Sequence, residues 1–264
     1  MDMLKRDIAP LTEVAWEEIE ERAEQVLKSR LSARKVVRVN GPKGWDYTTI
    51  SEGRLDVIAK DQDGVKTGKF KIKPLVEARV SFKLDRWEMD NIVRGAKDIE
   101  LENLEEAAKK IADFEEKAVY SGYKDGEIVG LEQASAHEAI PFGEDASSMM
   151  EAISRGLLIL RNHFEDGPFT LVVGEEAWNR LNREAQGYPL LRRIESLLGG
   201  KVVYAATVKG AFLVPFDSDD LELTIGQDFA IGYEAHDSKE VSLFITETFS
   251  FRVLDENLIV PFTV

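Results

Sequence analysis

The stretch of residues 226–253 constrains the fold of this chain more than any other segment. Within it, residues 241–253 alternate between two faces. One face is apolar, with Leu243, Ile245 and Phe249 and also Glu247, and the other is polar except for Phe244. Alternation with a period of two is typical of a strand that buries one face, and this run is longer than most strands. The pattern predicts a spine strand that supports a large helix and pairs with the alternating strand near residues 76–82.

Helical periodicity is clearest in the first half of the chain. Thr12 is predicted to cap an amphipathic helix that runs to about Arg34. A longer amphipathic helix is predicted over residues 101–120. Asp85 and Glu88 have the spacing of a capping box, which predicts a short helix after the strand near residues 76–82.

Residues 48–80 between these helices are predicted to be extended, with a turn at Asp61-Gln62-Asp63-Gly64. The two predicted strands carry little apolar surface, and an isolated hairpin is marginally stable in water. We therefore expect residues 50–75 to form an arm that packs on another subunit.

The middle of the chain alternates helices and short strands, which predicts a compact α/β insertion over residues 138–222. Asp145 is predicted to cap its first helix. A peripheral domain is then predicted from residues 1–49, 76–137 and 223–264. The whole chain is predicted to be an α+β protein.

Composition excludes several classes of protein. The net charge of −15 argues against a nucleic-acid binder, because phosphate contacts need clustered lysine and arginine. The absence of cysteine excludes disulfides and thiolate ligands. We expect no membrane span, because no uninterrupted apolar run is long enough. The start of the chain does not resemble a signal peptide, so the expected location is cytoplasmic.

Catalytic motifs are missing from the sequence. His137, His163 and His236 are spread along the chain and are interpreted as surface or loop residues, without a metal site. No Walker loop, nucleophile elbow or dinucleotide fingerprint occurs. We therefore expect no enzymatic activity, although a site assembled from distant carboxylates stays open as an alternative.

Several short segments, in order along the chain, resemble one known family. Together they span the whole chain: Leu4-Lys5-Arg6, Ala9-Pro10-Leu11-Thr12, Gly41-Pro42, Gly44-Trp45, residues 84–91, residues 167–172, and residues 225–251 with Ile225-Gly226-Gln227-Asp228 and Ile231-Gly232-Tyr233-Glu234. By these segments the chain resembles the encapsulins of family 1. These are shell proteins of bacterial and archaeal nanocompartments with the HK97-type fold of tailed-phage major capsid proteins.

The resemblance implies a peripheral domain, an extended loop over residues 50–75 and an axial domain over residues 138–222. It implies self-assembly into an icosahedral shell, of the sixty-subunit class for so short a chain. The implied partner is a cargo enzyme, such as a ferritin-like protein or a peroxidase, loaded through its C-terminal peptide. Iron storage or oxidative-stress chemistry would then take place in a cytoplasmic compartment, with no nucleic acid and no membrane.

The resemblance also implies site residues. The cargo peptide would lie in an apolar groove between the first helix and the β-rich part, whose candidates are Val26, Leu27, Arg34, Val36, Ile231, Tyr233, Leu243 and Phe249. The alternative for each apolar member is ordinary core packing. No catalytic residue, metal ligand or obligatory cofactor is expected on the shell itself.

Two further candidate sites follow from the same resemblance. Glu184, Gln186, Gly187 and Tyr188 are the candidates for the five-fold pore loop, where a ring of Glu184 would favour cations. A flavin is the candidate cofactor, stacked on Trp87 with Arg79 and Tyr188 nearby. The alternative for Trp87 is burial in the core.

Two other functions stay open at the level of the sequence. A phage or viral major capsid protein would enclose a genome rather than protein cargo. A soluble enzyme with a distributed carboxylate site would form a small oligomer with turnover, whereas a shell protein forms particles of megadalton mass.

Overall fold

The fold is taken from a computed structural model that describes residues 3–60, 64–183 and 189–264. Its α-helices are α1 (Glu13–Arg30), α2 (Arg86–Arg94), α3 (Glu102–Tyr120), α4 (Leu131–Ala134), α5 (Ala146–Asn162), α6 (Glu175–Arg183) and α7 (Leu190–Leu198). Its strands are β1 (Arg38–Asn40), β2 (Thr49–Lys60), β3 (Lys66–Pro74), β4 (Val76–Asp85), β5 (Ile140–Pro141), β6 (Phe169–Val173), β7 (Val202–Tyr204), β8 (Ala211–Pro215), β9 (Leu221–Ile225), β10 (Ala230–His236), β11 (Glu240–Val253) and β12 (Val260–Thr263).

β11 is the spine of the first sheet, which has five strands in the order β1-β9-β11-β10 with β4 also paired to β11. β4 runs antiparallel along one edge of β11, from the pair Glu240–Asp85 to the pair Phe249–Val76. On the other edge β10 and β9 lie end to end, and each pairs with about half of β11. The length of β11 is explained by these two successive partners. The predicted spine strand and its pairing near residues 76–82 are confirmed.

Helices α1 and α3 contribute to the apolar core that lies against this sheet. The Thr12 side chain accepts the backbone N–H of Ala15, so the predicted cap of α1 is confirmed. The helix ends at Arg30 rather than near Arg34, because residues 33–35 form a 3-10 turn in which the Ala33 N–H donates to the buried carboxylate of Glu116.

The predicted capping box of α2 is half correct. Asp85 accepts the backbone N–H groups of Trp87 and Glu88. The Glu88 carboxylate does not return a bond to the cap, because it accepts the Asn91 amide and the backbone N–H of Glu100.

β2 and β3 form a separate two-stranded hairpin, called the arm below. Leu55 is paired with Phe70 across the strands, and both side chains are more than half exposed. Val57 and Ile72 are also exposed. The arm therefore has no core of its own, as its sequence predicts. Residues 61–63 of the predicted turn lie outside the described residues.

The second sheet has five strands in the order β5-β12-β8-β6-β7, and it shares a core with α5, α6 and α7. Asp145 caps α5 in a complete capping box with Ser148. β12 pairs with β8 and β5, so the end of the chain returns to this sheet. The predicted peripheral domain includes residues 260–263, but β12 pairs within the second sheet. The predicted boundary at residue 222 divides β9, whose residues all pair in the first sheet.

Within the described part of the chain, no helix is long and apolar enough to cross a membrane.

Candidate functional site: a groove beside the first helix

An open groove of about 580 Å3, called the α1 groove below, lies between α1 and the segment that leads into β10. Ala23, Leu27 and Leu31 form its apolar wall on the helix. Phe229 and Ile231 contribute apolar groups on the opposite side. The groove therefore has apolar groups on both sides, which is a feature of surfaces that bind short peptides.

The rim of the groove on α1 is acidic, because Glu17, Glu20, Glu21 and Glu24 all line it. Glu20 pairs with Arg6 at 2.6 Å and Glu24 pairs with Lys28 at 2.5 Å. Among the described residues, Glu17 and Glu21 have no cationic partner closer than 4.0 Å. The rim therefore keeps a net negative charge. The helical spacing of these glutamates is the sequence signal for this rim, although the same spacing is also typical of an ordinary solvated helix face.

Arg34 lies at one end of the groove and belongs to a charge cluster. Its guanidinium contacts Glu115 at 2.6 Å, Asp228 at 2.8 Å and Glu247 at 3.3 Å, and it lies over the ring of Phe229. Glu115 and Glu247 are fully buried. Burial and the charge of Glu115 raise the pKa of Glu247 well above its usual range. One guanidinium thus lies among three carboxyl groups, and these contacts hold Arg34 in the fold.

The predicted groove residues separate into two groups. Leu27, Arg34 and Ile231 line the α1 groove. Val36, Leu243 and Phe249 have no exposed surface, so their assignment to the groove is wrong and the core-packing alternative is correct.

Val26 and Tyr233 are also absent from the groove lining. Val26 packs partly against the first core. The Tyr233 N–H donates to the carbonyl of Leu4, and its hydroxyl lies 2.6 Å from Nδ1 of His236. The N-terminal segment therefore occupies the surface that Tyr233 would have offered.

Trp87 lies at the start of α2, and its side chain is 69% exposed. The alternative that Trp87 is buried in the core of the subunit is therefore wrong. Arg94 lies 5.6 Å from the centre of its ring. Arg79 does not join it, because that guanidinium pairs with Glu77 and lies over Phe244. The indole face is therefore exposed, but Arg79 is not beside it, and Tyr188 lies outside the described residues.

The pore-loop candidates Glu184, Gln186, Gly187 and Tyr188 lie outside the described residues. Two of the three histidines come together in the fold, since the rings of His137 and His163 lie 5.6 Å apart. No group of three or more histidine or carboxylate side chains in the described ranges has the geometry of a metal site.

Comparison with known proteins gives a consistent result. A family model described as "Encapsulating protein for peroxidase" matches residues 1–250. The chain is 38% identical to the type 1 encapsulin shell protein of Rhodospirillum rubrum, over 99% of this chain and 96% of that protein. It is 36% identical to the type 1 encapsulin shell protein of Mycobacterium tuberculosis, over 95% of both chains.

Solved structures share the fold at low sequence identity. A virus-like particle from Pyrococcus furiosus superposes with a TM-score of 0.67 at 16% identity, over 93% of this chain and 98% of that chain. The capsid of Myoviridae phage XM1 superposes with a TM-score of 0.55 at 12% identity, over 87% of this chain and 90% of that chain. The predicted α+β, HK97-type capsid fold is confirmed.

Proposed function

This chain belongs to the encapsulin family of shell proteins, and on that premise we propose that it assembles into a closed icosahedral particle that encloses a cargo enzyme. Family membership makes it a structural shell protein and not an enzyme, in agreement with the sequence prediction. The single observation that carries the proposal is the family match over residues 1–250. The shell is proposed to contain sixty subunits and to lie in the cytoplasm.

The arm supports self-assembly on physical grounds. Leu55, Val57, Phe70 and Ile72 expose apolar surface on a two-stranded hairpin, and such a hairpin is marginal alone in water. Contact with other copies of the chain would bury that surface. Size-exclusion chromatography with negative-stain microscopy tests the proposal: uniform closed particles of megadalton mass are expected. A monomer or dimer under native conditions would contradict it.

The α1 groove is the proposed seat of the cargo peptide. Its apolar floor suits two or three aliphatic side chains in an extended peptide, and its acidic rim favours a peptide that also carries lysine or arginine. The proposed orientation therefore places the basic residues of the peptide along α1, next to Glu17 and Glu21.

The test fuses the C-terminal peptide of a candidate cargo to a fluorescent protein and measures how much fusion protein co-purifies with the particles. Glu21→Lys is expected to lower loading at least tenfold, because it reverses a charge on the rim. Glu138→Lys makes the same charge change on an exposed loop outside the groove, and it is expected to load normally. Equal loading of both variants would show that the α1 groove does not bind the cargo peptide.

The cargo is proposed to be a peroxidase or a ferritin-like protein, for oxidative-stress or iron-storage chemistry. The description of the matching family names a peroxidase. Mass spectrometry of particles from the native host tests this. Particles that contain nucleic acid and no second protein would favour a capsid function instead.

Two further proposals rest on the family resemblance. Glu184, Gln186, Gly187 and Tyr188 are proposed to line the five-fold pore, and a Glu184→Lys shell should admit cations more slowly. A flavin is proposed to stack on Trp87, and flavin absorbance in purified particles that is lost in Trp87→Ala would support it. Particles without flavin absorbance would end that proposal.

A further inference from the structure

A second cleft, called the junction cleft below, lies where β1 of the first sheet approaches the second sheet. Its volume is about 670 Å3, which is in the range of sites for small organic molecules. Val37, Val39 and Val203 line it together with Phe216, which is 49% exposed. The walls therefore offer mainly apolar surface at the meeting of two sheets, a place where ligand sites are common.

The charges that line the junction cleft are predominantly positive. The Lys201 ammonium makes no hydrogen bond or ion pair with any described residue, although the backbone carbonyl of Lys201 accepts the N–H of Leu171. Lys35 donates its ammonium to the carbonyl of Lys28 at 3.2 Å, so it keeps its charge without an acidic partner. Asp217 also lines the cleft, but Arg38 neutralises it at 2.9 Å. In a protein with a net charge of −15, two cations without acidic partners in one cleft are a local exception.

The walls of the junction cleft are held in place by the backbone. The Phe216 N–H donates to the carbonyl of Pro168 and the Asp217 N–H donates to that of Val36. Arg38 also donates to the Asp217 carbonyl at 2.8 Å. On the opposite wall, a Cβ at Gly200 would meet the Phe169 carbonyl at 2.1 Å, so only glycine allows that turn to lie against β6. A preformed wall lowers the entropy that a ligand must lose on binding.

We propose that the junction cleft binds an organic anion with an apolar hydrocarbon body and a carboxylate head. The hydrocarbon would displace water from the valine and phenylalanine walls, which favours binding in proportion to the apolar surface removed from water. The carboxylate would pair with Lys201 and Lys35. A cation with the same body is repelled, and a neutral alcohol lacks the charge pairing. The proposal is independent of shell assembly and of cargo loading.

The experiment compares three probes of equal chain length by isothermal titration calorimetry on the full chain in its native assembly. The probes are octanoate, 1-octanol and octyltrimethylammonium, each below the concentration at which it aggregates. Saturable octanoate binding at one molecule per chain is expected. Octanol should bind at least tenfold more weakly, and the cation should show no saturable binding. Octanol that binds as tightly as octanoate, or no saturable octanoate binding, would overturn the proposal.

Variants locate the binding. Lys201→Glu should weaken octanoate binding at least tenfold, and it should fold normally because Lys201 is exposed and unpaired. Lys209→Glu makes the same charge change outside the cleft and should leave the affinity unchanged. Glu21→Lys on the α1 groove should also leave it unchanged. If Lys201→Glu binds octanoate like the parent protein, or if Glu21→Lys alone changes the affinity, the junction cleft is not the site.

Discussion

At the scale of single residues, Arg34 determines how the first helix joins the sheet. Its guanidinium contacts the buried Glu115 at 2.6 Å and one oxygen of the buried Glu247 at 3.3 Å, so it brings a positive charge to carboxyl groups inside the core. Removing one member of a buried ion pair typically costs about 3 to 5 kcal/mol. We therefore expect Arg34→Met to lower the free energy of unfolding by about 3 kcal/mol, as measured by urea denaturation. Arg30→Met, which breaks the partly exposed pair with Asp113, should cost clearly less.

A second residue-scale prediction concerns Glu116. Its carboxyl accepts the Ser32 hydroxyl and the Ala33 N–H, yet burial outweighs these bonds and raises its pKa from 4.5 to about 7. The folded chain therefore holds a proton that the unfolded chain releases, so this group makes stability fall as pH rises from about 5 to 7. Integrated from pH 5 to pH 7, the loss is about 2 kcal/mol.

Glu116→Gln keeps the shape of the side chain without its titration. Its unfolding midpoint should fall less steeply than that of the parent protein between pH 5 and pH 7, in thermal scans at fixed ionic strength. Glu132→Gln, on the exposed surface of α4, should keep the parent slope. Parallel pH profiles for all three proteins would show that Glu116 does not titrate in this window.

These buried charges also show where prediction from sequence stops. Glutamate is normally a solvent-exposed residue, so the sequence gives no sign that Glu115, Glu116 and Glu247 are buried. Their hydrogen-bond partners lie more than 80 residues away along the chain. The resemblance implies Val36, Leu243 and Phe249 as groove residues, and the sequence pattern offers no correction. Periodicity identifies the apolar side of an element, but not whether a second layer covers it.

At the scale of elements, a long periodic pattern in the sequence was sufficient to predict a helix or a strand. β4, β11, α3 and α5 each extend over enough residues for the pattern to identify them, and the structure contains all of them. β9 was missed although Leu221, Leu223 and Ile225 alternate with polar residues; in the structure all five of its residues are buried, the two polar ones included. The arm was predicted from the opposite signal, a hairpin too polar to form its own core.

The arm gives the prediction at this scale. Leu55→Asp combined with Phe70→Asp should prevent particle assembly while the subunit keeps its secondary structure, because the arm contributes no residue to either large core. Size-exclusion chromatography and far-ultraviolet circular dichroism measure the two effects. Thr67→Asp, on the opposite face of β3, should still form particles. If the double variant assembles normally, the exposed apolar face of the arm is not an assembly contact.

At the scale of the whole molecule, the chain crosses between its two sheets more often than the sequence indicates. After β11 it returns to the second sheet, where β12 lies between β5 and β8. β12 has only four residues, and so short a strand does not show from its sequence which sheet it joins. The residues predicted as an axial domain, 138–222, therefore lack a strand that they need.

This leads to a prediction about independent folding. In a fragment of residues 138–220, β5 has no strand partner and Phe142 loses its contact with the ring of Phe262, 5.7 Å away. Val260 and Phe262 are both buried, and each is worth about 1.5 to 3 kcal/mol on burial. That loss is comparable to the whole stability of a small domain. The fragment alone should show no cooperative thermal unfolding.

Restoring the missing strand should restore the fold. The N–H of Leu254 donates to the carbonyl of Asp220 at 2.8 Å, so the two chain segments lie side by side at the junction. A short glycine-serine linker can therefore join residue 220 to residues 255–264 without strain. The joined fragment should unfold cooperatively, and the same construction with Phe262→Asp should not. Cooperative unfolding of the unjoined fragment would mean that the second sheet is stable without β12, and that the crossing serves only to connect the two sheets.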